Sequence, residues 1–329
     1  MQIYLYAISF LLSLGACKNE PKQAGSYKNE KRNSNDSSKK LVSTNPTNSS
    51  EPANKAVFNY NLQKPDATFE LHEELWEVSG IEWTKENGIL AVQDEGGFVY
   101  FLNEQAGTMQ KELNFAPKGD YESVRLVNGV IWVLQADGLL HKIQNWKSDN
   151  PKRDIIKLPF NDNNDLEGLC YDKEKNRLLI ACKNSPVFGE KIKDYRAIYA
   201  FDIENEEVSQ EPVYTITMDK VNNYLAQNPQ SYQNSAVLER LKKAKTLPFM
   251  PSEVAINPKN GYTYVLAGTG FAIFVLNQNN ELLHIQELNE DIFVQAEGLT
   301  FADNGDMFIS SEGRFNGNTA KIWRFNWQQ

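Results

Sequence analysis

A small or acidic residue leading into a short alternating apolar strand recurs at Ser79, Glu122, Glu167, Ser252 and Glu297. Three of the five copies carry Glu followed by Gly or Ser: Glu122-Ser123, Glu167-Gly168 and Glu297-Gly298. The starts lie 43, 45, 85 and 45 residues apart. A repeat of about 40 to 50 residues is the length of one four-stranded blade, and a blade buries both of its faces only by packing against copies of itself. The spacing therefore predicts an all-β fold, a five-bladed β-propeller. The 85-residue interval leaves room for a sixth blade as the alternative, but Ser235 to Lys245 reads as helix, with Val237, Leu238 and Leu241 at helical spacing. A helical insertion over about 221–246 is the preferred reading.

Within each repeat, short runs rich in Val, Ile, Leu and aromatics are bounded by turn residues. Asn-Gly pairs at 87–88, 128–129, 260–261 and 304–305 mark tight hairpins. The last repeat is one strand short. Phe69-Glu70-Leu71 stands ahead of Ser79 much as Lys111-Glu112-Leu113 stands ahead of Glu122, so a strand at Thr68–Leu71 is expected to complete the fifth blade and close the ring.

The segments ahead of the repeats have a different character. Residues Ile3 to Leu14 are almost wholly apolar, too short to span a bilayer, and end at Leu14-Gly15-Ala16-Cys17, the pattern of a lipoprotein signal with its lipobox. Residues 1–17 are expected to be a signal peptide ending at Cys17, which would carry lipid; an ordinary secretory signal is the alternative. Residues 18–56 hold eight basic and four acidic residues and hardly any large apolar side chain, the composition of a solvated tether. Taking that +4 from the chain's −9 leaves −13 for residues 57–329, the expected propeller domain. So acidic a domain is no partner for nucleic acid and a better one for cations. The expected location is the bacterial cell envelope, the outer membrane ahead of the inner, with the propeller outside the cytoplasm. Cys170 and Cys182 fall in neighbouring strands about three residues out of register and are read as two buried thiols.

Counting back from the hairpins sets Ser79 opposite Asp94, Glu122 opposite Gln135, Glu167 opposite Cys182 and Glu297 opposite Glu312. The repeated acids then stand at one rim of the inner strands. The long loops Lys183–Tyr195 and Gly313–Thr319 open on that same face, as does the insertion. The candidate metal ligands are Glu122, Glu167 and Glu297, with Asp94 and Glu312 as further candidates. Converging carboxylates repel, and a hard cation that takes six to eight oxygens, calcium, suits them. Zinc does not, since His72, His141 and His284 are scattered. The bland alternative is that the acids bond backbone N–H groups between blades or pair with Arg125, Lys183 or Arg314. Asp120 and Asp165, each two residues before a repeated Glu, read as outer support or as turn caps. No nucleophile elbow, phosphate loop or paired-cysteine motif occurs, so catalytic residues are unassigned.

At Val78-Ser79-Gly80-Ile81, Asp165-Leu166-Glu167-Gly168-Leu169, Pro251-Ser252-Glu253 and Gln295-Ala296-Glu297-Gly298-Leu299 the chain resembles the SdiA-regulated family of bacterial envelope proteins. The likeness spans roughly residues 66–327. It implies a five-bladed propeller with bound calcium, carried over here onto Glu122, Glu167 and Glu297 but not onto Ser79 or Ser252. Three functions follow as expectations. The first is an envelope-anchored, calcium-binding propeller that presents its loop face to an unknown small molecule or envelope protein. The second is a calcium-dependent hydrolase of a phosphate ester or lactone. The third is a scaffold without metal, its Glu residues tying blades together.

Overall fold

The structure is a computed structural model that describes residues 57–189, 195–231, 235–313 and 319–328. The expected signal peptide, tether and Cys17 lie outside them.

Five antiparallel sheets, one for each repeat, follow one another in a closed ring. Blade 1 comprises Val78–Thr84, Gly88–Gln93, Phe98–Leu102 and Met109–Asn114. Blade 2 comprises Tyr121–Val127, Val130–Gln135, Leu139–Gln144 and Lys152–Lys157. Blade 3 comprises Leu166–Asp172, Arg177–Cys182 and Tyr195–Asp202, with its outer edge split into Glu207–Val208 and Tyr214–Thr217. Blade 4 comprises Glu253–Ile256, Thr263–Ala267, Ala272–Leu276 and Leu282–Glu287. Blade 5 takes Ala296–Phe301, Met307–Ser311 and Lys321–Phe325 from the C-terminal end, and Ala67–Glu70 as its outer strand. The closing strand pairs Phe69 with Ile322 and Glu70 with Lys321, within a residue of the sequence expectation. Five blades, not six, account for the repeats.

The turns follow their chemistry. Asn128 and Gly129 both take positive φ, 51° and 79°, the geometry a two-residue hairpin needs to match strand twist. Apolar alternation fills the spaces between blades. Val124 packs toward blade 1, Leu169 toward blade 2, Val254 toward blade 3, Leu299 toward blade 4 and Ile81 toward blade 5. These residues occupy the third place of the repeat, so the third-place side chain always faces the preceding blade.

The insertion contains two helices, α1 (Met218–Gln227) and α2 (Ala236–Lys243). Thr217 and Ser235 cap them, each side-chain oxygen accepting a backbone N–H of the first turn. Val237, Leu238 and Leu241 are buried as their spacing predicts, and Val221, Tyr224 and Leu225 join them over the core between blades 3 and 4. α1 begins at Met218, just ahead of the expected start of the insertion, and it packs on the outer strand of blade 4 through Tyr224 Oη and His284 Nδ1 at 3.3 Å. The insertion therefore packs against the outer strands of blades 3 and 4. Of the two long loops on the mouth face, residues 190–194 and 314–318 lie outside the described residues. Cys170 and Cys182 are buried free thiols.

Candidate functional site

The acids of the repeat stand in β-bulges. In blade 2 Tyr121 pairs with Gln135 and Ser123 with Leu134, which leaves Glu122 as the extra residue. In blade 3 Leu166 pairs with Cys182 and Gly168 with Ala181, leaving Glu167 extra. Blades 1 and 5 break at the same place, between Val78 and Ile81 and between Ala296 and Leu299. Hairpin counting is therefore off by one in blades 2 and 3, where Tyr121, not Glu122, faces Gln135 and Leu166, not Glu167, faces Cys182, and by two in blades 1 and 5, where Glu77, not Ser79, stands at Asp94 and Gln295, not Glu297, at Glu312. A bulge inserts one residue and re-aims its side chain. This removes the parity conflict that a regular strand would impose, in which each Glu would share a side with packed residues such as Leu169.

The second place of the repeat explains the small residue after each Glu. A Cβ on Gly80 would stand 2.6 Å from Ser123 Cα, one on Gly168 would stand 2.9 Å from Val254 N, and one on Gly298 would stand 2.7 Å from Ser79 O. Each of those neighbours is the inner strand of the following blade. In blades 1, 3 and 5 the close approach of the next inner strand leaves no room for a side chain at this place, so glycine is required.

Glu122, Glu167 and Glu297 are brought into one electrostatic cluster at the mouth of the axis. Lys183, the first residue after the second strand of blade 3, places Nζ 2.6 Å from Glu167 Oε1. All three acids are pushed above the ordinary carboxylate range, first by burial. The charge of Glu167 and a hydrogen bond shared with Asp120 push Glu122 further. Lys183 pulls Glu167 back while Glu297 and Asp165 push it up. Lys183 and a Gln295 hydrogen bond pull Glu297 back against Asp94 and Asp165. Glu167 on blade 3 and Glu297 on blade 5 are not ring neighbours, so their repulsion acts across the axis.

The further candidates sit at the edge of this cluster. Asp94 reaches Glu297 through its charge, and Glu312 accepts Gln295 Nε2 at 2.8 Å, so Gln295 bridges Glu297 and Glu312. Asp165, at positive φ, accepts Asn184 Nδ2 at 2.7 Å and is itself raised by burial. Both readings of Asp165 thus have a basis: it fixes the turn and adds to the field on Glu167. The histidines stand elsewhere. His141 bonds Gln135 and packs on Phe115 and Tyr121, and His284 stacks on Phe58. Among the described residues no group of three or more His, Cys, Asp or Glu closes on one point as a metal ligand set.

Below the mouth lies a second layer that the sequence reading did not assemble. Arg125, 2% exposed, crosses from blade 2 to blade 4, placing Nη2 3.0 Å from Glu253 Oε2, with Nε 3.4 Å from Glu82 Oε2 of blade 1. It also donates to the carbonyls of Ile81, Val124 and Val254. Glu253 takes Ser123 Oγ–H at 2.7 Å from across the axis and the N–H groups of Leu169 and Val254 at 2.9 and 3.0 Å. Burial, partly offset by Arg125, lifts Glu82 and Glu253 to about 7 each. This ion network joins four inner strands and plugs the channel beneath the carboxylate mouth.

Comparison with known proteins agrees with this architecture. The family described as SdiA-regulated matches residues 58–315, and the chain belongs to it. No curated protein matches the sequence. Among solved structures, glutaminyl cyclase from Myxococcus xanthus is similar at 9% identity and a TM-score of 0.54, over 80% of this chain and 96% of that one. A luciferin-regenerating enzyme matches at 13% identity and 0.47, over 80% and 95%. The PQQ-bound aldose sugar dehydrogenase of Streptomyces coelicolor matches at 9% and 0.47, over 81% and 97%. At 9% identity the likeness to the glutaminyl cyclase speaks to the fold alone.

Proposed function

We propose that this SdiA-regulated propeller binds one calcium ion at its axial mouth through Glu122, Glu167 and Glu297, with Asp94 and Glu312 at the edge, and presents the surrounding loop face to a small molecule or an envelope protein. One observation carries the reading: three buried carboxylates from three blades lie in one another's electrostatic field, and among the described residues Lys183 is the ammonium paired with them. The donor set fits a hard cation, since it offers carboxylate oxygens and no imidazole or thiolate. Bound calcium would supply the missing positive charge and a Lewis-acidic centre. The chain's own groups would hold the ring of inner strands at fixed spacing around it, and the Arg125–Glu253 plug would confine access to the loop face.

The same reading places the protein in the bacterial cell envelope, held at a membrane, the outer membrane, by lipid on Cys17. Its support is the apolar run ending at Leu14-Gly15-Ala16-Cys17 and the polar stretch after it. Incorporation of a clickable fatty acid, lost in Cys17→Ala, tests the anchor.

Calorimetric titration of calcium chloride into the full-length chain tests the site, beside the triple variant Glu122→Gln/Glu167→Gln/Glu297→Gln. Saturable heats in the parent that vanish in the triple variant are expected; equal heats in both would end the assignment. One observation favours a purely structural role instead: the 2.6 Å Lys183–Glu167 ion pair already ties two strands of blade 3. On that reading neither protein gives heat.

A further inference from the structure

We infer that Lys183 is the specificity-determining residue of this mouth: its ammonium occupies the counter-charge position among the carboxylates and must leave Glu167 before a metal ion enters. This inference rests on the calcium reading and says what regulates it.

Two features of the mouth are otherwise at odds. Three repeated acids, with Asp94 and Asp165 in their field, crowd one end of the axis, yet no three carboxylates among the described residues close on a common point. An ammonium inside the cluster reconciles them. It takes Glu167 Oε1 at 2.6 Å, and its charge also acts on Glu122, Glu297 and Asp165, so a tethered monovalent cation stands at Glu167 within their field. Burial pulls the Lys183 ammonium toward neutrality, but Glu167, Glu297 and Asp165 overcome this and hold it above the usual lysine range.

The surroundings let the side chain leave without unfolding anything. The Lys183 N–H is fixed to the Asp165 carbonyl at 2.8 Å, and the next two residues are held by Asn164 and Asn163 carbonyls at 3.1 Å. The backbone is therefore anchored, and only the four-carbon stem has to change rotamer. The side chain is 30% exposed against 5% for Glu167, so it has a route to solvent that its partner lacks. Exchange of a +1 charge for a +2 ion would then neutralise more of the cluster. The cost is the Lys183–Glu167 pair and the repulsion between the ion and an ammonium that cannot go far. Like charges at this range weaken binding strongly in a partly desolvated site.

The test is calcium titration at pH 8 into the full-length chain and its Lys183→Met and Lys183→Arg variants, with thermal unfolding of each in EDTA and in calcium. Lys183→Met is expected to bind calcium at least ~10-fold more tightly than the parent, about 1.4 kcal/mol. It is also expected to melt below the parent in EDTA and to recover in calcium. Lys183→Arg keeps the charge and should stay within about threefold of the parent. Binding seen only in Lys183→Met supports the inference in its strongest form. Equal affinity in parent and Lys183→Met, with a melting loss that calcium does not restore, overturns the role of Lys183 but leaves the carboxylate site standing. No binding in either protein removes the calcium reading and this inference with it. Lys183→Gln replaces the Met variant should that one fail to fold.

Discussion

Replacing Arg125 by methionine tests the axial plug, and the outcome depends on pH. The substitution keeps the aliphatic bulk but removes a guanidinium that donates to the Ile81, Val124 and Val254 carbonyls and balances Glu253 and Glu82. At pH 8 two buried carboxylates lose their counter-charge, and breaking a buried pair from one side costs about 3–5 kcal/mol. At pH 5.5 the acids are protonated, since even with Arg125 beside them their folded values lie at about 7. The penalty then shrinks to about 1–2 kcal/mol, the hydrogen bonds left unmade at the three carbonyls. The sign follows from linkage. A carboxyl raised in the folded state binds its proton more tightly there than in the unfolded chain, so its contribution is fully present below the unfolded value near 4.5 and is lost as pH climbs through the folded one. Without Arg125 the folded values rise further, so the variant goes on losing stability above pH 7. Urea unfolding of parent and variant at pH 5.5 and 8 measures both penalties. A loss at pH 8 below about 1 kcal/mol, or the same loss at both pH values, would refute the account of the plug.

Two further predictions concern the ring and its thiols. Gly298→Ala drives a Cβ to 2.7 Å from the Ser79 carbonyl of the next blade and against Ser310 Oγ, so a loss of about 1–3 kcal/mol is expected in thermal melts; an unchanged melting temperature would mean the inner strands stand further apart. Burial lifts the Cys170 thiol to about 12 and pushes Cys182 higher still. Peptide mapping after thiol labelling without reductant should find both unreacted in the folded protein and both labelled after denaturation.

The ring itself could be read from the repeat because every blade needs the same parts. An apolar third place such as Val124 or Leu169 must meet the preceding blade, and a hairpin such as Asn128-Gly129 must turn within two residues. The closing strand was legible for the same reason: an edge on blade 5 demands a partner, and Phe69 stands at blade spacing. The bulges were not. Hairpin counting assumes an unbroken ladder, and one extra residue in a strand leaves hydrophobic alternation intact on either side. The helical insertion was legible, but its start at Met218 was not, because Tyr214–Thr217 continues into α1 without a breaker and the boundary is marked only by the Thr217 cap. Lys183 and Arg125 were visible as possible partners of the acids. Their assignment, Lys183 to the mouth and Arg125 to the plug beneath it, depends on which blades face one another across the axis, and no local pattern encodes that.

Blade 4 shows how small a sequence change separates the two layers. Four repeats place the small residue second, but here the order is inverted and Glu253 stands where Gly80, Ser123, Gly168 and Gly298 stand in the others. Its ladder begins with Glu253 opposite Leu266, and the Ser252 N–H donates to the Leu266 carbonyl at 2.9 Å. The Ser252 hydroxyl donates to the Ala296 carbonyl and accepts the Gly268 N–H, which ties blade 4 to blade 5. The acid, moved one place along a strand, moves to the opposite side and one layer down, where a full side chain fits because Ser123 and Gly168 leave space around the axis. There it meets Arg125, which no glutamate of the mouth touches among the contacts of the described residues. The inversion thus removes a carboxylate from the mouth and spends it on closing the channel. The mouth that results is asymmetric, with the repeated acids coming from blades 2, 3 and 5.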